Sequence, residues 1–180
     1  MGYTIRAVRA EDWALAKELR LDALQDPVAA IAFLETHEQA VAQPDEFWQG
    51  RTATAAEGTT VRQFIAEDGA GRWLGTVTVL VELPGVVDYF GYTPEVAQTH
   101  VVGVFVRPEA RGTGLAQALF DAALAWSWAL PEPHVERARL YVHEHNARAQ
   151  ALYEKAGFKR TGNTVEAAAG REFEYAVERS

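Results

Sequence analysis

The chain has 180 residues, 48% of them hydrophobic, and no cysteine. It can bury a substantial core, and its length suggests one domain spanning residues 1–180; disulfides, cysteine-ligated zinc and a cysteine nucleophile are excluded, and no metal is expected. Lys and Arg number 17 against 25 Asp and Glu, for a formal charge of −8, which argues against nucleic acid as a partner and suits either a solubilising surface or attraction of a cationic amine.

The N-terminus has no apolar signal-peptide core, Arg6 spoils a myristoylation pattern, and no run of 18 apolar residues follows. Cytoplasmic residence without a membrane partner is the default reading. Tyr3–Val8 alternates as a first strand. Asp12–Leu24 places Leu15, Ala16, Leu19 and Ala23 on one helical face, with Pro27 beyond its end. A second helical region lies within Ala32–Ala56, interrupted near Pro44 and anchored by Phe47 and Trp48. Val61–Ala66 and Trp73–Leu83 form a hairpin around the polar turn Glu67–Arg72. Pro84–Gln98 reads as a long loop.

Val101–Val106 has the apolar character of a strand buried on both faces, and Pro108 stops it. Gly112 and Gly114 then let the backbone turn close to a ligand. From Leu115 apolar residues recur at helical spacing through Leu119, Ala122, Trp126 and Leu130. A helix starting there leaves its first N–H groups unpaired at the positive end of its dipole, where a diphosphate fits. No Lys-Ser or Lys-Thr follows the glycines and the three-glycine dinucleotide pattern is absent, so two better-known phosphate loops are excluded. Arg139–Val142 reads as a strand; Asn146 is suited to cap the helix after it, with Ala149, Leu152, Tyr153 and Ala156 on one face and Gly157 as its left-handed end. Thr161–Gly170 is a mobile segment or a hairpin arm, and Glu172–Val177 is a last strand. The sum is an α/β (α+β) fold, a mixed and mostly antiparallel central sheet flanked by helices.

Two segments together resemble a known family. Arg111-x-x-Gly114-x-Ala116 is similar to motif A of the GNAT acyl-CoA N-acyltransferases. Leu140-x-Val142-x-x-x-Asn146-x-x-Ala149-x-x-Leu152-Tyr153-x-x-x-Gly157-Phe158 is similar to motif B, in the same order. The resemblance is firm from about Phe64 to Phe158 and looser toward the N-terminus. It implies a bulged strand splayed from its neighbour in a V that admits the pantetheine arm of acetyl-CoA. It also implies pairing of that arm with backbone around Val104, Phe105 and Val106. The N–H groups of Arg111, Gly112, Thr113, Gly114, Leu115 and Ala116 would then hold the pyrophosphate.

The implied reaction moves an acetyl group from acetyl-CoA to a primary amine of a small molecule or peptide, in a ternary complex. An alkyl amine of pKa 10.4 is neutral in only about one molecule in ~2,500 at pH 7, so a proton must be removed. Tyr153 matches the family's general acid, although a tyrosine at that spacing also serves as a packed core residue. Asn146 either caps its helix or bonds the cofactor's amides. Many relatives carry a glutamate where His100 stands. His100 is one candidate base, with Glu82, His143 and a water chain as the others. Tyr89, Phe90, Tyr92, Phe47 and Trp48 would line the acceptor groove, and Asp88 and Glu95 would meet an ammonium. A catalytically silent acyl-CoA-binding module, transfer of a longer acyl chain, and a homodimer stay open.

Overall fold

The computed structural model describes residues 2–88 and 90–180. Strands β1 (Tyr3–Ala7), β2 (Val61–Asp68), β3 (Trp73–Glu82) and β4 (Gln98–Val106) pair antiparallel in succession. β5 (Arg137–His143), β6 (Lys159–Ala167) and β7 (Gly170–Glu178) form a second antiparallel set with β7 in the middle. The two sets join in one seven-stranded sheet, order β1-β2-β3-β4-β5-β7-β6. The joint is a short parallel contact in which Thr99 faces Ala138 and His100 faces Arg139. Beyond His100 the strands part, which is the V expected from the resemblance.

A bulge in β4 re-aims the strand just past the joint. Thr78 opposes Val102 while Thr76 opposes Phe105, so β4 carries one residue more than β3. Gly103 takes the extra position at φ +61, a left-handed conformation that glycine adopts without steric cost.

Helices cover both faces. α1 (Trp13–Leu24) buries Ala16, Leu19 and Ala23, positions one turn apart, against Ile65, Trp73 and Phe105. A short α2 (Ala29–Ala32) leads into the helical region expected within Ala32–Ala56, which holds α3 (His37–Val41) and α4 (Asp45–Glu57). The interruption expected near Pro44 is there: α3 ends at Val41, and Pro44 caps the start of α4, where a residue lacking an N–H costs nothing. Trp48, Thr52 and Ala55 form the buried stripe of α4, whereas Phe47 is exposed and lies edge-on to Trp48 at 5.3 Å. On the opposite face α5 (Leu115–Ala129) buries Leu115, Leu119, Phe120 and Ala123. At roughly 1.5–3 kcal/mol per large apolar side chain, this stripe outweighs any surface pair. α6 (Ala147–Lys155) lies on the same face through Leu152 and Tyr153. Among the described residues no helix is long and apolar enough to cross a membrane.

The chain from Lys159 to Ala167 is a strand, so the hairpin-arm reading holds. Likewise Gln98 opens β4 instead of closing a loop. Its amide donates to Glu82 at 3.0 Å and its carbonyl accepts from Arg137 at 2.6 Å.

Alternation divides β5 cleanly. Ala138, Leu140 and Val142 enter the core under α5; Arg139, Tyr141 and His143 take the other face. There Arg139, fully buried, meets Glu82 at 2.8 Å, Asp88 at 2.6 Å and Glu174 at 3.4 Å. These partners belong to β3, the following loop and β7, so one guanidinium ties three chain-distant segments across the joint. Removing it takes the shared guanidinium from three buried carboxylates, a loss of roughly 3–5 kcal/mol. Arg139→Leu should therefore show a strongly lowered urea midpoint with unchanged slope. Arg171→Gln, which cuts an exposed pair with Glu166, should leave the midpoint in place.

Candidate active site

Beyond β4, a short turn at Pro108–Ala110 leads to Arg111 and the two glycines. Gly112 and Gly114 sit at φ +75 and +84, and a Cβ built on either meets nothing within 4 Å. The backbone therefore faces open space that any side chain would invade. The α5 ladder starts with Ala118 N–H on the Gly114 carbonyl at 3.1 Å, leaving the first-turn amides of Leu115, Ala116 and Gln117 outside it. Gly112, Thr113 and Gly114 N–H groups also have no hydrogen-bond acceptor among the described residues, while Arg111 N–H is given to Pro108 at 3.3 Å. The row of amides is a concave donor surface at a helix start, as anionic phosphates require.

Side chains around this turn hold its shape. The Arg111 guanidinium donates to the Val106 carbonyl at 2.9 Å and to Asp26 at 2.6 Å. Burial raises the Asp26 carboxyl, but Arg111 outweighs it and holds the acid below its usual range. Thr113 Oγ1 donates to the Ala110 carbonyl at 2.6 Å, and Leu115 is buried in the core.

The parting of β4 and β5 opens a cleft of about 820 Å³. Gly112, Gly114, Ala116, Asn146 and Tyr153 border it from the α5–α6 side, and His100, Tyr141 and Glu172 border it from the opposite face. Val104, Phe105 and Val106 border it between them. Phe105 turns its ring to the α1 side, whereas Val104 and Val106 pack toward α5. Of the residues expected to hold the cofactor, Thr113 and Leu115 alone do not line the cleft.

Asn146 Oδ1 accepts the Ala149 N–H at 3.3 Å and so caps α6. Tyr153, on the second turn of α6, stacks edge-on against Phe120 at 5.6 Å. Burial, and then the charge of Glu172, push its phenol well above the ordinary value. It is a protonated donor at neutral pH.

The candidate bases separate on geometry. Glu82 is consumed: Arg139 holds both its oxygens at 2.8 Å, and Gln98 adds a third bond. Burial raises its carboxyl, yet His100 and Arg139 more than reverse this and leave it at about 2. His143 accepts the His145 N–H on Nδ1 at 3.1 Å, which leaves Nε2 to donate to the Ala169 carbonyl at 2.8 Å. Both ring nitrogens are occupied, and the tautomer is fixed by those bonds. His100 is buried, borders the cleft, and places Nδ1 3.5 Å from Glu82 Oε2. Its ring meets Tyr141 edge-on at 5.5 Å.

The expected acceptor contacts are partly reassigned. Phe90 borders the cleft and packs on Tyr141 at 4.8 Å. Tyr92, Phe47 and Trp48 do not border it, and Tyr89 lies outside the described residues. Asp88 is spent on Arg139 and on the N–H groups of Phe90 and Tyr92, and Glu95 is exposed.

Glu172 is the residue that sequence reasoning passed over. It faces His143 across the β5–β7 ladder, on the face of Tyr141 and His100. Among the described residues nothing hydrogen-bonds its carboxylate. Burial pushes it up to about 7, with His143 opposing the shift. Its signal was the alternation Glu172-Phe173-Glu174-Tyr175, which sends two acids to one side of a core strand.

Residues 19–158 match the acetyltransferase (GNAT) family. The chain is 45% identical over 94 residues to the mycothiol acetyltransferase of Beutenbergia cavernae, covering 52% of this chain and 27% of that protein. It spans about a third or less of the length of the mycothiol acetyltransferases it matches. Its fold resembles a GNAT-family acetyltransferase from Streptococcus pneumoniae, with a TM-score of 0.77 at 16% identity over 99% of this chain and 100% of that one. It also resembles the spermidine N-acetyltransferase of Vibrio cholerae in complex with CoA and spermine, at TM-score 0.69 and 18% identity over 98% and 95%. The family match reaches well upstream of the two motifs, and on that match, over a sheet parted beside a glycine-lined helix start, the chain belongs to the GNAT acetyltransferase family.

Proposed function

We propose that residues 1–180 act as one acetyl-CoA-dependent N-acetyltransferase domain, transferring acetyl directly to a primary amine in a ternary complex. The observation that carries this reading is the juxtaposition, in one cleft, of the free amides at Gly112–Gln117, the parted strands and the Tyr153 phenol. The open space over both glycines fits a pyrophosphate. Acetyl-CoA supplies a thioester, whose carbonyl carbon accepts the amine and whose thiolate departs.

The chain's own groups account for the rest. Backbone of Val104 and Val106, exposed to the gap by the bulge at Gly103, pairs with the pantetheine arm and steadies the thioester oxygen. Asn146 keeps its amide nitrogen for the cofactor while Oδ1 caps α6. His100, with Glu82 behind it, takes the proton from the attacking nitrogen; a carboxylate beside an imidazole stabilises the imidazolium that results. As the C–N bond forms and the C–S bond breaks, Tyr153 gives its proton to the sulfur. A phenol suits this step because its neutral form is secured at neutral pH.

Three measurements test this. Acetyl-CoA at 100 times its Kd should stabilise the protein by about 2.7 kcal/mol; Gly114→Val, which strains a left-handed position and fills the cradle, should abolish that shift. An unshifted wild-type melting curve would sink the cofactor assignment. Tyr153→Phe should lower kcat by about a hundredfold in an assay of CoA release, with KM for acetyl-CoA held. Glu172 gives a pH signature: its carboxyl ionises near 4.5 when unfolded and at about 7 when folded. The native state then binds more protons, so its contribution to stability falls as pH climbs from 4.5 to 7 and is level on either side. Subtracting the stability curve of Glu172→Gln from that of wild type should isolate this slope.

A further inference from the structure

On the cleft wall away from the glycine turn, α1 and α4 bring two guanidiniums to one carboxylate. Arg20 Nε donates to Glu35 Oε1 at 2.6 Å, and Arg51 NH1 stands 3.8 Å from the same oxygen. All three residues border the cleft. Aromatic faces hold both arginines in place: Arg20 lies over Phe33 at 4.5 Å, and Arg51 over Trp48 at 5.7 Å. Among the described residues the terminal nitrogens of Arg20 and the guanidinium nitrogens of Arg51 have no acceptor within hydrogen-bond distance. Partial burial and the charge of Arg20 lower the Arg51 guanidinium, a shift that an anion seated between the two would reverse. The cluster carries one uncompensated positive charge and several unused planar donors.

We propose that this pair is the seat of an acceptor carboxylate, so that the amine substrate is amino-acid-like. The inference rests on the N-acetyl-transfer reading and names its substrate class. A guanidinium fork matches a planar carboxylate bidentately, and a monoanion neutralises the single surplus charge where a phosphate dianion would overshoot. The other pole lies on the same face, where Glu172 carries an unpaired carboxylate toward the cleft beside His100 and Tyr141. A groove positive at its α1–α4 wall and carrying a carboxyl acceptor near β7 orients a molecule that is anionic at one end and has an amine at the other. A polycation such as spermine would place charge against Arg20 and Arg51.

The test is a panel of L-amino acids, each set against its α-carboxamide and its decarboxylated amine, assayed by CoA release at saturating acetyl-CoA. The accepted amino acid should exceed its amide by about tenfold or more in kcat/KM, mainly through KM, the size of a charge-assisted hydrogen bond. Arg51→Gln should bring that ratio close to one. Arg62→Gln should keep it, because Arg62 is spent on the Ala56 carbonyl at 3.0 Å and does not border the cleft. Amides or spermine turned over as well as the acid, or a ratio indifferent to Arg51→Gln, would overturn the proposal. Failure of every amine while acetyl-CoA still binds would refute the transfer reading instead. The seat is then judged by thermal stabilisation with N-acetyl amino acids: a shift in wild type that Arg51→Gln loses upholds it, and no shift overturns it.

Discussion

The site depends on where the parallel contact between β4 and β5 stops. At Thr99 and His100 the strands share a ladder; one residue later they do not. On the α5 side the contact is pinned by Thr99, whose hydroxyl meets Ser127 at 2.9 Å. On the other side it is pinned by Arg139 and its carboxylates. Past that point the Gly103 bulge swings β4 away, and two backbones that would have satisfied each other face a shared space. The glycine turn, α6 and the face of His100, Tyr141 and Glu172 are all arranged around that interruption.

The same sheet face shows how surroundings assign opposite states to one residue type. Glu82 and Glu172 are both buried glutamates. Glu82 has a guanidinium on both oxygens and an imidazole beside it, and stays ionised at any physiological pH. Glu172 has burial without a partner, and its carboxyl titrates near neutrality. One acid belongs to the framework and the other remains available to the cleft. The difference is the set of donors around Glu82: Arg139 from two strands away, with His100 and Gln98 on the strand between.

Much of this was legible in the sequence because it is local. The strand, glycine turn and helix from Val101 to Ala129 follow from apolar run, proline stop and helical spacing; Asn146 as a cap needs only its neighbours. Residues whose roles depend on distant partners were not legible. Asp88 reads as a free acid in a loop, and only the fold brings Arg139 to it. His143 reads as a candidate base until its two ring nitrogens are seen to be occupied. Phe47 and Trp48 are adjacent and chemically alike, and the phase of α4 sends one inward and the other out.

The way the two halves of the sheet are fastened has a further consequence. A long backbone ladder does not close the joint; buried charge does, and both Arg139 and Glu174 have no solvent-exposed side-chain surface. Dissolved ions screen through water and reach such a pair poorly. Ionic strength should therefore distinguish the two ends of the cleft. The width of the opening should be indifferent to it, whereas an anion at the solvent-facing amides of the glycine turn would be held less tightly as counterions crowd in.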